Sequence, residues 1–193
     1  MDLIALLGLP LDANSSFLLG CEHGPAAIRE SLLSASGNDA NEASVNVTSL
    51  IEDMGNVAVD NERGSFLDAD AITGAVDEQL AAGRQIISLG GDHSVTYPIL
   101  RAFRAHHAEL TVVHIDAHPD MYDDLDGNPL SHASPFARAL EDGCVTTLVQ
   151  LGIRTATQHQ VEQAARWNVT MLSPRQLDRF DPATLHGPVY LSV

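Results

Sequence analysis

Apolar and polar positions along the chain fall into short runs that switch between a period of two or less and a helical period. Ile4 to Pro10 (IALLGLP) is apolar on both faces, which predicts a buried parallel strand. A polar loop follows from Asp12 to Gly24, and Pro25 then stands in the first turn of a predicted helix through AAIRESLLSA. Gly37 to Ala43 reads as a loop and Val45 to Ile51 as a second strand, with a charged loop at Asp60 to Gly64. Ala69 to Ala82 places Ile72, Val76 and Leu80 on one side of a helix and stops at Gly83. Gln85 to Leu89 is a third predicted strand, Ser94 to His107 a helix, and Thr111 to Ile115 a fourth strand. Pro129 to Leu140 covers a loop and a short helix, Val145 to Ile153 a fifth strand, and Gln158 to Trp167 a helix. Val169 to Leu172 and Pro188 to Val193 complete the set as strands six and seven.

Strand and helix alternate throughout, which predicts an α/β fold with three α/β/α layers around a mostly parallel sheet. The 193 residues suffice for one domain, 1–193, and no internal repeat or linker divides them. In such sheets ligands gather at the carboxyl ends of the strands. Two polar clusters lie there: Gly90-Gly91-Asp92-His93-Ser94 after the third strand, and Asp116-Ala117-His118-Pro119-Asp120 after the fourth.

Along an extended backbone Asp116, His118 and Asp120 would share one side, about 6–7 Å apart. Two carboxylates at an apolar strand end need a partner, and a metal ion is the simplest one; caps on turn amides are the alternative. Gly90 and Gly91 would let the backbone approach a ligand closely, which a phosphate cradle also requires, but the spacing of a P-loop and its lysine are absent. With no cysteine nearby the donors are oxygen and imidazole, which suits Mn(II), Fe(II), Co(II), Ni(II) or Zn(II).

Charge narrows the partners. The net charge is −16 and all ten basic residues are Arg, so nucleic acid and anionic membrane surfaces are excluded as partners. No apolar run reaches membrane-spanning length, and Met1-Asp2 carries no basic leader region. Cys21 and Cys144 are too few for a disulfide framework, which predicts reduced thiols and a cytoplasmic protein.

SLGGDHSVTYP, HIDAHPD and SHASPFAR together resemble the arginase/agmatinase (ureohydrolase) family, and NSSFLLGCEHGPAAIRESL resembles its N-terminal segment. The acidic loop in DAHPDMYDDLDGNPLSHASPFAR is most similar to plant-type arginases and their bacterial relatives. The resemblance implies a fold of the arginase/deacetylase type. It implies hydrolysis of a guanidino substrate, arginine or agmatine first, to urea and an amine by a metal-bridging hydroxide. Two Mn2+ ions are implied, with Ni2+, Co2+ or Fe2+ as substitutes.

By the same resemblance His93 and Asp120 would bind one ion, Asp116 would bridge both, and His118 would bind the second. Asp120 would also orient the hydroxide, and His132 would carry protons to the leaving amine; a surface loop histidine is the alternative. Asn128 and Ser131 could hydrogen-bond a substrate carboxylate, while Asp123, Asp124 and Asp126 could attract an amine or form a solvated acidic loop. A homo-oligomer, trimer or hexamer, is implied as well. The family's remaining ligands come from an S-x-D-x-D segment that VYLSV leads into, and Val193 precedes the first aspartate. The chain is therefore expected to lack the C-terminal part of the fold and to have weak or no catalysis by itself. A related-fold amide deacetylase and a non-catalytic metal-binding or oligomerising fragment are the competing readings.

Overall fold

The structure is a computed structural model that describes residues 3–193; the expectation about a leader at Met1-Asp2 lies outside these residues. Seven strands alternate with five helices: β1 (Ile4–Leu9), α1 (Gly24–Leu32), β2 (Ile51–Asn56), α2 (Phe66–Ala81), β3 (Ile86–Gly90), α3 (Thr96–His106), β4 (Thr111–Ile115), α4 (Pro135–Glu141), β5 (Thr147–Leu151), α5 (Gln158–Arg166), β6 (Thr170–Leu172) and β7 (Val189–Ser192). Every strand pairing is parallel, as buried strands joined through crossover helices require. The strands form two groups, ordered β2-β1-β3 and β6-β5-β4-β7.

Alternation along the strands separates two covered faces. Leu7 and Leu9 of β1 pack with Ile72 and Val76 of α2 and Ile99 of α3, whereas Leu6 faces a small cleft shared with Leu32 and Leu33 beside α1. In β4, Val112 joins Leu100, Phe136, Ala139 and Ala164 from α3, α4 and α5. Its neighbour Val113 packs on the opposite side with Val149, Leu151, Phe180 and Leu185. Helices α2 to α5 thus cover one side, and α1 with the 3-10 turns around 174–185 cover the other. This is the three-layer parallel α/β arrangement that the alternation predicts.

Two local expectations are corrected. The second strand is Ile51–Asn56, not Val45 to Ile51. Asn46 accepts hydrogen bonds from the Thr48 hydroxyl (2.8 Å) and the Ser49 amide (3.0 Å), so local side-chain bonds displace a ladder there. Ile51–Asn56 carries two acids and a glycine but pairs with β1 from Ile51 to Asp53 and, past a register shift, at Asn56. Second, the chain leaves β4 after Ile115 and bends, so Asp116, His118 and Asp120 do not lie on an extended strand. Asp120 has φ 49°, a left-handed conformation that turns its side chain back toward the sheet.

The edges of β3 and β7 face one another across a groove of about 700 Å³ lined by Ile86, Ile87, Val189, Tyr190 and Leu191. Ile87, Val189 and Leu191 are 41%, 45% and 57% exposed there, which leaves an apolar, partly unpaired seam through the middle of the molecule.

Candidate metal centre

The carboxyl ends of β3 and β4 bring His93, Asp116 and Asp120 together, and with His114 they form a group whose ligand atoms all lie within 4.8 Å. His93 follows the tight turn after β3, where a Cβ on Gly91 would stand 2.0 Å from the Leu11 carbonyl oxygen. The close approach that the glycines permit is therefore to the chain's own loop. Gly91 donates to the Leu9 carbonyl at 2.8 Å and Asp92 to that of Leu11 at 2.7 Å, which fixes where His93 begins. His93 Nδ1 lies 2.6 Å from Asp120 Oδ2, and its Nε2 lies 2.9 Å from the Ser192 hydroxyl.

Electrostatics suit a cation. Burial pushes the Asp116 carboxyl up, but the His118 amide and the His114 and His93 rings outweigh it and hold the group below its usual value. Asp116 is thus ionised at neutral pH. Among the described residues the ion pairs of Asp116 and Asp120 involve histidines alone, with no guanidinium. Two carboxylates and an imidazole in a half-buried pocket, with no guanidinium to neutralise them, fit a divalent ion.

His114 was not singled out by the sequence pattern; its only signal is a polar residue inside the apolar run TVVHI. It is fully buried, and burial, followed by the nearby His93, pushes its ring down to about 4, so it is neutral. Its Nε2 stands 3.5 Å from Asp116 Oδ2 and has no hydrogen-bond partner. Ile115, the last residue of β4, is 48% exposed.

The other anticipated residues divide. His118 is 62% exposed, with Nδ1 3.3 Å from Asp116 Oδ1, and stands at the rim outside the group of four. His132 is half-buried; its Nδ1 donates to the Asn14 carbonyl at 2.8 Å, and its Nε2 has only the Ser16 hydroxyl at 3.4 Å. Asn128 and Ser131 are buried and bonded internally: Asn128 donates to the Asn14 side chain at 2.9 Å, and the Ser131 hydroxyl accepts from the Ala133 amide at 3.2 Å. In the acidic loop, Asp123 accepts from Gln163 of α5 and Asp124 accepts from the Gly127 amide, so both help to shape the loop.

A family model described as "Arginase family" matches residues 2–193. The chain belongs to the arginase family. It is 37% identical over 186 residues to arginase 1, mitochondrial, of Arabidopsis thaliana, which covers 92% of this chain and 54% of that protein. It is 32% identical over 182 residues to N(1)-aminopropylagmatine ureohydrolase of Thermus thermophilus, covering 91% of this chain and 59% of the relative. The solved arginase of Medicago truncatula superposes with a TM-score of 0.84 at 32% identity, covering all of this chain and 65% of that one. The chain thus spans about half the length of the curated relatives it matches. Among the described residues no helix is long and apolar enough to cross a membrane.

Proposed function

We propose that this chain carries the metal-holding part of a ureohydrolase that cleaves a guanidino compound to urea and an amine. The observation that carries this reading is the meeting of His93, Asp116 and Asp120 at the carboxyl ends of β3 and β4 with no guanidinium paired to either carboxylate among the described residues. His93, Asp116, Asp120 and, from the rim, His118 would hold manganese, with nickel, cobalt or iron as chemically similar substitutes. Bound there, such ions supply Lewis acidity that makes water a nucleophile near neutral pH.

The remaining roles fall to the chain itself. Asp116 and Asp120 would balance the added positive charge, and Asp120 would orient the attacking water by a hydrogen bond. His132 holds its proton on Nδ1 against Asn14, which leaves Nε2 to exchange a proton with a departing amine. Asn128 and Ser131 would hydrogen-bond a substrate carboxylate. Arginine is the first candidate substrate and agmatine or an N-substituted agmatine the second, in line with the names of the relatives. A cytoplasmic location, supported by two unpaired thiols, and a homo-oligomer remain part of the proposal. Phe17, Leu18 and Leu19, all exposed, supply apolar surface for such an assembly.

The test is urea release from arginine, agmatine and other guanidino compounds by the protein as its gene encodes it, loaded with manganese. Manganese-dependent urea supports the reading. A metal-loaded protein that releases urea from none of them, or that cleaves acetylated amides instead, overturns it.

A further inference from the structure

Beneath the ligand cluster lies a row of three polar side chains in register across adjacent strands. His114 of β4 pairs with Gln150 of β5 on one side and with Ser192 of β7 on the other. In-register residues of parallel strands point to the same face, so the three form one line. All three are buried: Gln150 and His114 at 0% exposed and Ser192 at 6%. A line of polar groups in an apolar sheet is costly unless each group has a partner or a task.

The bonds of the row reveal the task. Gln150 Nε2 lies 2.6 Å from the Pro119 carbonyl oxygen and 3.2 Å from His114 Nδ1. A carbonyl oxygen only accepts, so the amide nitrogen, not its oxygen, faces this way, and its second hydrogen meets His114 Nδ1. That nitrogen is then the acceptor, and the neutral ring carries its hydrogen on Nε2, facing Asp116 Oδ2 at 3.5 Å. At the other end, Ser192 Oγ occupies His93 Nε2 at 2.9 Å and leaves His93 Nδ1 toward Asp120.

We propose that Gln150, His114 and Ser192 form a positioning row for the metal centre: Ser192 selects Nδ1 of His93 as the ligand atom, and His114, set by Gln150, presents an N–H to Asp116 and is not itself a ligand. The proposal rests on the metal-centre reading above. Partners in this position orient the ligating imidazole and carboxylate, and their loss weakens metal affinity by about 10- to 100-fold.

The experiment titrates manganese into parent protein and variants, reading free Mn(II) by EPR and histidine nitrogen coupling by electron spin echo modulation. Ser192→Ala and Gln150→Leu should weaken binding about tenfold or more. Ser192→Thr, which keeps the hydroxyl, should restore binding to within about threefold of the parent. His114→Gln, which keeps an N–H donor, should leave the nitrogen coupling unchanged. A lost nitrogen coupling in His114→Gln, or Ser192→Ala binding as tightly as the parent, would overturn the proposal while the metal centre stands. A parent that binds no manganese would overturn both.

Discussion

His132 Nδ1 donates to the backbone carbonyl of Asn14 at 2.8 Å, a contact between residues 118 apart in sequence. The His132 amide donates to the same oxygen at 3.2 Å, so one residue of the N-terminal loop sets both the position and the tautomer of the histidine. The Asn14 side chain extends the junction, donating to the Ser94 hydroxyl at 3.1 Å and accepting from the Gly64 amide at 2.8 Å and from Asn128 at 2.9 Å. Four loops at the carboxyl end of the sheet are tied through this buried residue. Asn14→Ala removes three buried bonds and is expected to cost about 2–4 kcal/mol of stability, measured by urea denaturation.

His132→Ala should leave metal content unchanged and lower turnover by about 10²–10⁴-fold, the usual range for a lost proton carrier. Parallel metal analysis and steady-state kinetics check both halves. Loss of metal together with activity would instead mark His132 as part of the metal-holding set.

Burial depresses the His114 ring to about 4, and the sign of the consequence is definite. The unfolded chain takes up a proton at this histidine near pH 6.5 and the folded chain does not until about pH 4. Stability contributed by neutral His114 is therefore fully present above pH 6.5 and is lost as pH falls toward 4, by roughly 2–4 kcal/mol in metal-free protein. His114→Phe should flatten the stability profile in that window, as measured by denaturant midpoints across pH.

The Cys21 thiol is pushed up to about 11, first by burial and then by the Asp12 carboxylate that accepts its hydrogen bond at 2.7 Å. Alkylation by iodoacetamide at pH 8 should be more than about tenfold slower than for an unfolded thiol. Asp12→Asn should speed it.

The seam between β3 and β7 exposes Ile87 and Leu191 at two partly unpaired edges. Such edges associate, so the 193-residue chain should show concentration-dependent self-association in sedimentation velocity. Leu191→Lys should reduce it.

The sequence disclosed the order of strands and helices because short, mostly apolar runs alternate with segments of helical period. It misplaced β2, since IEDMGN has no apolar pattern and becomes a strand only through its pairing with β1. That His93, Asp116 and Asp120 come together was legible from their place at strand ends, although the chain bends after Ile115 and no strand alternation aligns them. His114, Gln150 and Ser192 were not legible. Their significance depends on register across three strands, which a single run of residues does not encode. The same holds for Asn14, whose partners come from three other loops, around Gly64, Ser94 and Asn128.

The decisive measurement of the metal centre is the manganese retained after exhaustive dialysis by the parent and by Asp116→Asn. Bound manganese is expected in the parent and its loss in the variant, because Asp116 belongs to the group of four whose ligand atoms converge. An Asp116→Asn protein that retains as much manganese as the parent would contradict that expectation.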